Sequence, residues 1–314
     1  MNLGKINSMP DKVVEVKDLF KAYGNVKAVN GISFSITKGE IFGMLGPNGA
    51  GKSTTVEIIE GLRSADRGSV TVLGIDISKD TRAVKERIGV QSQSPALFPD
   101  LKVKEIINFF RSLYTKSSPT SEIVKIASLQ ESQDILFRNL SGGQQQRLSV
   151  AVGFVNDPEM VILDEPTTGL DPQARRAMWD VIENFRNRGK TVLLTTHYMD
   201  EAQRLCDRIA IMDYGQVIAL DSPHRLIESN IKEGAIQFRM KKYPGDEAVA
   251  NIPEVSKIIK EGDDVVVYTN NVPSVISGLL GLASQRSTEL SELSVRQATL
   301  EDVFLKLTGK RIRD

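Results

Sequence analysis

The chain opens on a polar stretch without period, residues 1–12, which predicts a loose tail. Val13, Val14 and Val16, and later Ile32, Phe34 and Ile36, then alternate with polar residues. That period of two marks half-buried strands and predicts an antiparallel edge sheet. Ile41-Phe42-Gly43-Met44-Leu45 is apolar throughout and stops at a glycine-rich turn, after which Val56, Ile59 and Leu62 predict a helix. Met160-Val161-Ile162-Leu163 and Thr191-Val192-Leu193-Leu194 are short apolar runs between polar turns. They read as central strands of a sheet covered on both faces, joined by a crossover helix over 174–188 that Gly189 closes.

Two other stretches differ in character. Residues 103–139 carry helical patterning at Ile106, Ile107, Phe109, Phe110 and Leu113, a Ser/Pro/Thr turn over 116–121 and then more helix, and read as a helical insertion. Past Leu226 the chain turns polar until Gly234. It continues with strands expected at 235–240, 265–268 and 293–295, a helix at 275–283 and a terminal helix at 300–307. The resulting division is a tail at 1–12, a main domain at 13–228 with its helical part at about 95–158, and a small α+β domain at 234–314.

Composition narrows the class without naming a function. The 314 residues carry 40 Lys plus Arg against 40 Asp plus Glu, so the net charge is zero and argues for neither a nucleic-acid surface nor a polybasic membrane patch. The only cysteine, Cys206, has no partner for an intrachain disulfide, and the chain does not begin with a secretory signal run; a reducing compartment is expected. No stretch of about 18 apolar residues is present, so this polypeptide is not expected to cross a membrane itself.

Chemistry enters with Gly46-Pro47-Asn48-Gly49-Ala50-Gly51-Lys52-Ser53, which fits G-x-x-x-x-G-K-[ST] between a strand and a helix. Glycines there let several backbone N–H groups converge on one anion, and the helix adds its positive N-terminal end. Lys52 supplies a mobile cation for outer phosphates, and Ser53 a hydroxyl for Mg²⁺. Asp164 and Glu165 leave the end of a buried strand, where the first carboxylate reaches the Mg²⁺ shell and the second polarises an attacking water. Leu140-Ser141-Gly142-Gly143-Gln144 sets a second anion-binding turn before a helix, some twenty residues ahead of that acidic pair.

With that motif the chain closely resembles the ATP-binding subunit of ABC transporters, over about residues 13–226 and through an ordered set of Tyr23, Gly46 to Ser53, Gln93, Leu140 to Gln144, Asp164-Glu165, Asp171 and His197. The resemblance implies an α/β P-loop NTPase (RecA-like) core with antiparallel β and helical subdomains. It also implies ATP and Mg²⁺ as ligands. Tyr23 is similar to the aromatic that stacks on adenine, Gly46 to Thr54 hold the phosphates, and Ser53, Gln93 and Asp164 serve the metal. Glu165, His197, Lys52 and Gln93 are implied as the catalytic set, with Gln91 a second candidate for the glutamine. Ser141, Gly142 and Gly143 are implied to complete the site of a second subunit in a head-to-tail homodimer or related heterodimer, with Asp171 communicating across it.

The wording around these motifs looks like the exporter branch related to daunorubicin and multidrug efflux ATPases, as does Ala298-Thr299-Leu300-Glu301-Asp302-Val303-Phe304 near the end. That implies a separate transmembrane permease, docking through the helical insertion, and peripheral placement on the cytoplasmic face of the membrane. A non-transport ATPase of translation or DNA handling and an import ATPase are the alternatives. Only about ninety residues separate Lys52 from Ser141, too few for a long coiled-coil arm. Cys206 and Trp179 are read as helix packing and His224 as a solvated loop residue.

Overall fold

The computed structural model describes residues 11–92, 97–231, 234–296 and 298–309. Residues 1–10 of the expected tail, Gln93 and the 232–233 junction therefore lie outside the described residues. The contacts divide the chain into two units that meet between Pro223 and His224.

The first unit begins with two long strands, β1 (Lys12–Tyr23) and β2 (Val26–Thr37), then β3 (Ile41–Leu45) and α1 (Lys52–Ile59). Next come β4 (Arg67–Val72), β5 (Ile75–Asp76), α2 (Thr81–Lys85) and β6 (Ile88–Gln91). The insertion supplies α3 (Val103–Ser112) and α4 (Thr120–Ile126), and after two 3₁₀ turns α5 (Gly142–Val152) follows. β7 (Met160–Asp164), α6 (Pro172–Asn187), β8 (Thr191–Thr196), α7 (Met199–Leu205), β9 (Arg208–Asp213) and β10 (Gln216–Asp221) complete it.

Two sheets result. One is antiparallel in the order β2-β1-β4-β5, as the alternating pattern predicts. The other has six strands in the order β10-β9-β3-β8-β7-β6, parallel except for β10. All residues of β3, β7 and β8 are buried, which is why these strands carry continuous apolar runs instead of alternating. Phe34 and Phe42 stack with ring centres 5.3 Å apart in the core shared with β1 and β2, and Phe154 stacks on Phe185 of α6 at 4.6 Å. The β9–β10 hairpin, turned through Tyr214-Gly215 with positive φ at both, has a two-residue loop suited to twisted strands.

Some expectations are corrected. The helix after Lys52 stops at Ile59 and does not reach Leu62. The Leu62 N–H bonds to Glu57 O at 2.8 Å and Gly61 N–H to Ile58 O at 3.1 Å around a left-handed Gly61, the two bonds of a Schellman stop that leaves Leu62 exposed. Cys206 is buried as expected but sits one residue beyond the end of α7. His224 is exposed, yet lies in a helix, α8 (Pro223–Asn230), whose proline occupies the first helical position. In the insertion Phe109 and Leu113 are exposed while Ile106 and Ile107 are buried.

The second unit contains β11 (Gly234–Met240), α9 (Asp246–Ala250), β12 (Val255–Glu261), β13 (Asp264–Thr269), α10 (Val272–Gln285), β14 (Leu290–Arg296) and α11 (Leu300–Thr308). Its antiparallel sheet runs β12-β13-β11-β14, and α10 packs Val275, Leu279 and Ala283 against Ile236, Phe238 and Val267. No described helix is long and apolar enough to cross a membrane.

Candidate functional site

The loop between β3 and α1 has room only for glycine at its two ends. A Cβ on Gly46 would stand 2.3 Å from Met212 O, and one on Gly51, at φ 98°, 2.2 Å from Ala28 O. Gly51 caps α1 without a side-chain acceptor, and the first turn carries no acidic residue, so the helix presents its N–H groups unopposed. Asn48 and Gly49 at the loop tip are exposed, Pro47, Ser53 and Thr54 are half-buried, and Ala50 is buried.

Lys52 is buried, with Nζ donating to Gly46 O at 2.7 Å and Pro47 O at 3.2 Å and standing 3.6 Å from Glu165 Oε1. Burial pulls its pKa down, against the opposing pull of Glu165 and Asp164. Such a desolvated ammonium, held by carbonyls, is of the right charge and donor type for phosphate oxygens.

β7 and β8 deliver the acidic pair. Asp164 faces Thr195 in the parallel register, and the Thr195 hydroxyl donates to the Asp164 carboxylate. The same hydroxyl accepts the Glu165 N–H at 3.0 Å. Burial raises the Asp164 pKa, with Glu165 adding to the rise, while the hydroxyls of Thr195 and Ser53 and the charge of Lys52 work against it. Glu165 adopts the left-handed φ of 49°, uncommon for a residue with a side chain and a frequent mark of functional sites. Its Oε2 accepts from the Thr168 hydroxyl at 3.2 Å and stands 3.3 Å from His197 Nδ1. Behind this group Glu60, at the end of α1, is buried; its desolvation, then the charges of Asp164 and Glu57, push its pKa to about 8.

The signature turn builds a second, separate surface. Ser141 caps α5 by accepting the Gln144 N–H, and the Gln144 side chain returns the bond to Ser141 N at 2.9 Å, a complete capping box. Ser141 and Gly142 are exposed, whereas Leu140 is buried. Ser141, Gly142, Gly143, Arg147, Gly169 and Asp171 line one groove that includes no P-loop residue. Asp171 caps α6 through Ala174 N at 2.8 Å. Gln146 on α5 donates to Pro166 O at 2.9 Å, tying the signature helix to the segment that follows Glu165.

Lys52, Ser53, Asp164, Glu165 and His197 thus come together, and Ser141 to Gly143 join Asp171 elsewhere. Tyr23 is exposed at the end of β1, with Lys21 and Arg63 over its ring at 5.7 and 5.5 Å. Gln93 lies outside the described residues; Gln91 is buried and donates to Ser92 O. Sequence reasoning missed Thr195, Thr168, Glu60 and Gln146. Thr195 lies on a strand that the sequence did predict, but nothing in the sequence paired it with the acidic residues.

The donor set fits a nucleotide and its divalent cation. The uncapped helix start, the glycine-only cradle and the buried Lys52 suit polyphosphate, and the Ser53 hydroxyl beside the Asp164 carboxylate is a hard oxygen pair suited to Mg²⁺.

A family model described as ABC transporter matches residues 29–168. The chain is 38% identical over 98% of its length, and 100% of the relative's, to Nod factor export ATP-binding protein I of Burkholderia lata. It is 39% identical to the protein of the same name from Rhizobium meliloti strain 1021, over 97% of this chain and 90% of that one. Among solved structures it resembles a dimeric ATP-binding cassette in a post-hydrolysis state bound to ADP and phosphate, with TM-score 0.61 and 27% identity over 67% of this chain and 98% of that one. It also resembles cbiO1 of an ABC transporter complex from Clostridium perfringens, with TM-score 0.61 and 29% identity over 68% and 89% of the two chains.

Proposed function

The chain belongs to the ABC transporter family as an ATP-hydrolysing subunit, and from that premise we propose that Glu165 activates the attacking water while two copies close around ATP and drive export through a separate membrane protein. The observation that carries the catalytic reading is the convergence on one carboxylate: Glu165 stands 3.6 Å from Lys52 Nζ and 3.3 Å from His197 Nδ1. Backbone N–H groups within residues 46–54, Pro47 excepted, and Lys52 hold the phosphates, and Tyr23 receives the adenine. Ser53 and Asp164, with Gln93, hold Mg²⁺, which supplies positive charge to the outer phosphates when bound.

Glu165 accepts a proton as the water oxygen bonds to the terminal phosphorus and the bond to the bridging oxygen breaks, leaving ADP and phosphate. His197 orients that carboxylate and meets the terminal phosphate. The exposed Ser141-Gly142-Gly143 turn donates to the phosphate of the partner copy, which the absence of P-loop residues from its groove favours. Full-length similarity to proteins named for export supports the direction of transport. Peripheral placement on the cytoplasmic face follows from docking onto the permease.

Glu165→Gln tests the assignment. We expect ATP-dependent dimers to accumulate on a sizing column while turnover falls by about a hundredfold or more. Unimpaired turnover would remove Glu165 from the role.

A further inference from the structure

Beneath the catalytic groups lies a carboxyl that none of the foregoing uses. Glu201 is in the first turn of α7, where an acidic residue ordinarily faces solvent, yet it is completely buried. The Trp179 indole N–H donates to its Oε1 at 3.0 Å. The hydroxyls of Thr167 and Thr196, themselves buried, flank the carboxyl and favour its charged form, as the indole does. Burial outweighs all three and, with the charge of Asp200 added, raises its pKa. A buried carboxyl is costly, so its retention calls for a reason in the groups it touches.

Those groups lie on three different segments, each leading to a proposed functional residue. Thr167 is two residues past Glu165, and its neighbour Thr168 bonds the Glu165 carboxylate at 3.2 Å. Thr196 precedes His197, and its hydroxyl accepts the Tyr198 N–H at 2.9 Å, which shapes the turn carrying the imidazole. Trp179 is on α6, the helix that Asp171 caps. Glu201 Oε2 and Thr167 Oγ1 are both buried without a fully formed hydrogen bond. Pro166 is held at the same time from α5 by Gln146.

We propose that Glu201 is a positioning residue that sets Glu165 and His197 relative to each other, by joining the segment after Glu165, the turn before His197 and helix α6 through one buried carboxyl. Glu201 touches no reacting atom. The proposal rests on the catalytic reading of Glu165 and His197, and it locates the part of their geometry that the two strands β7 and β8 do not set.

The test is steady-state ATP hydrolysis, with binding of a fluorescent ATP analogue, for Glu201→Leu, Glu201→Gln and Thr167→Val, each checked for folded fraction by thermal melting. We expect Glu201→Leu to lower kcat by about tenfold or more, as for a lost buried hydrogen bond, with analogue affinity within about twofold of wild type. Glu201→Gln, which keeps the shape and one acceptor, should recover most of the rate. Thr167→Val should lower kcat in the wild-type background and add little to Glu201→Leu, because the two act through one contact. A folded Glu201→Leu protein with kcat within about twofold of wild type overturns the proposal, as does a loss of rate matched by a loss of binding or of folded protein. If Glu201→Leu does not fold, Glu201→Gln and Thr167→Val both turning over at the wild-type rate overturn it. Glu165→Gln run alongside separates the two readings: retained turnover there defeats the assignment of Glu165, whatever the Glu201 variants do.

Discussion

Lys52 Nζ and Glu165 Oε1 stand 3.6 Å apart, each side chain almost wholly buried, so the proposed phosphate-binding cation and the proposed base face one another directly. On the proposed roles, ATP draws Lys52 toward phosphate and leaves Glu165 for the water. Removing the carboxylate charge relieves Lys52 of that competition. Glu165→Gln is therefore expected to bind ATP at least as tightly as wild type, measured by fluorescence titration with Mg²⁺. An affinity weaker by about tenfold, a 1.4 kcal/mol loss, would contradict this competition.

Thr195 serves both acids, donating to Asp164 and accepting from Glu165 N–H at 3.0 Å. In Thr195→Val the Asp164 carboxylate loses one of its donors and the Glu165 N–H loses this acceptor, although the N–H retains Thr195 O at 3.2 Å. Turnover is expected to fall by about tenfold and half-saturation to move to higher Mg²⁺. Titration of the ATPase rate with Mg²⁺ checks both.

Glu60 gives the fold a pH dependence of a definite sign. Its folded pKa of about 8 lies above the ordinary 4.5, so the folded state holds a proton that the unfolded state releases first. The contribution is complete below pH 4.5 and is lost as pH rises through about 8, at about 1.4 kcal/mol per pH unit in between. Glu60→Gln removes that slope. Urea unfolding of both proteins from pH 5 to 8.5 should show the variant gaining on wild type as pH rises; a constant difference would count against the burial of this carboxyl.

Composite sites predict complementation. Lys52→Ala should be inactive through its P-loop and Ser141→Arg through its signature turn. Mixed, they form dimers in which one site combines the intact P-loop of the Ser141→Arg chain with the intact signature of the Lys52→Ala chain. An ATPase rate in the mixture that neither variant shows alone is the expected result. Equal rates before and after mixing would place the signature outside the partner's site.

What the sequence made legible was whatever chemistry is contiguous. The residue 46–54 loop, the 140–144 turn and the Asp164-Glu165 pair are local devices whose function depends on backbone N–H groups or on a strand end, and each is written in consecutive letters. Glu60 and Glu201 are ordinary helix acids in the sequence; only folding buries them, against Asp164 in one case and Trp179 in the other. Gln146 and Thr195 act across 20 and 31 residues, separations at which no motif exists. In the second unit, β12 alternates weakly and carries lysines, and α9 has five residues, too few for a helical period, so neither was visible beforehand. The Schellman stop at Gly61 shortened a helix that spacing alone extended to Leu62.

The hydrogen bond from Gln146 to Pro166 O has a further consequence once two copies share their sites. In the proposed dimer each polypeptide lends its signature to one nucleotide and its Glu165 to the other. Inside one chain the Gln146 amide, on the helix that follows the signature turn, bonds the segment that follows Glu165. In such a dimer a physical link between the two proposed sites runs through the interior of each chain and not only across the interface.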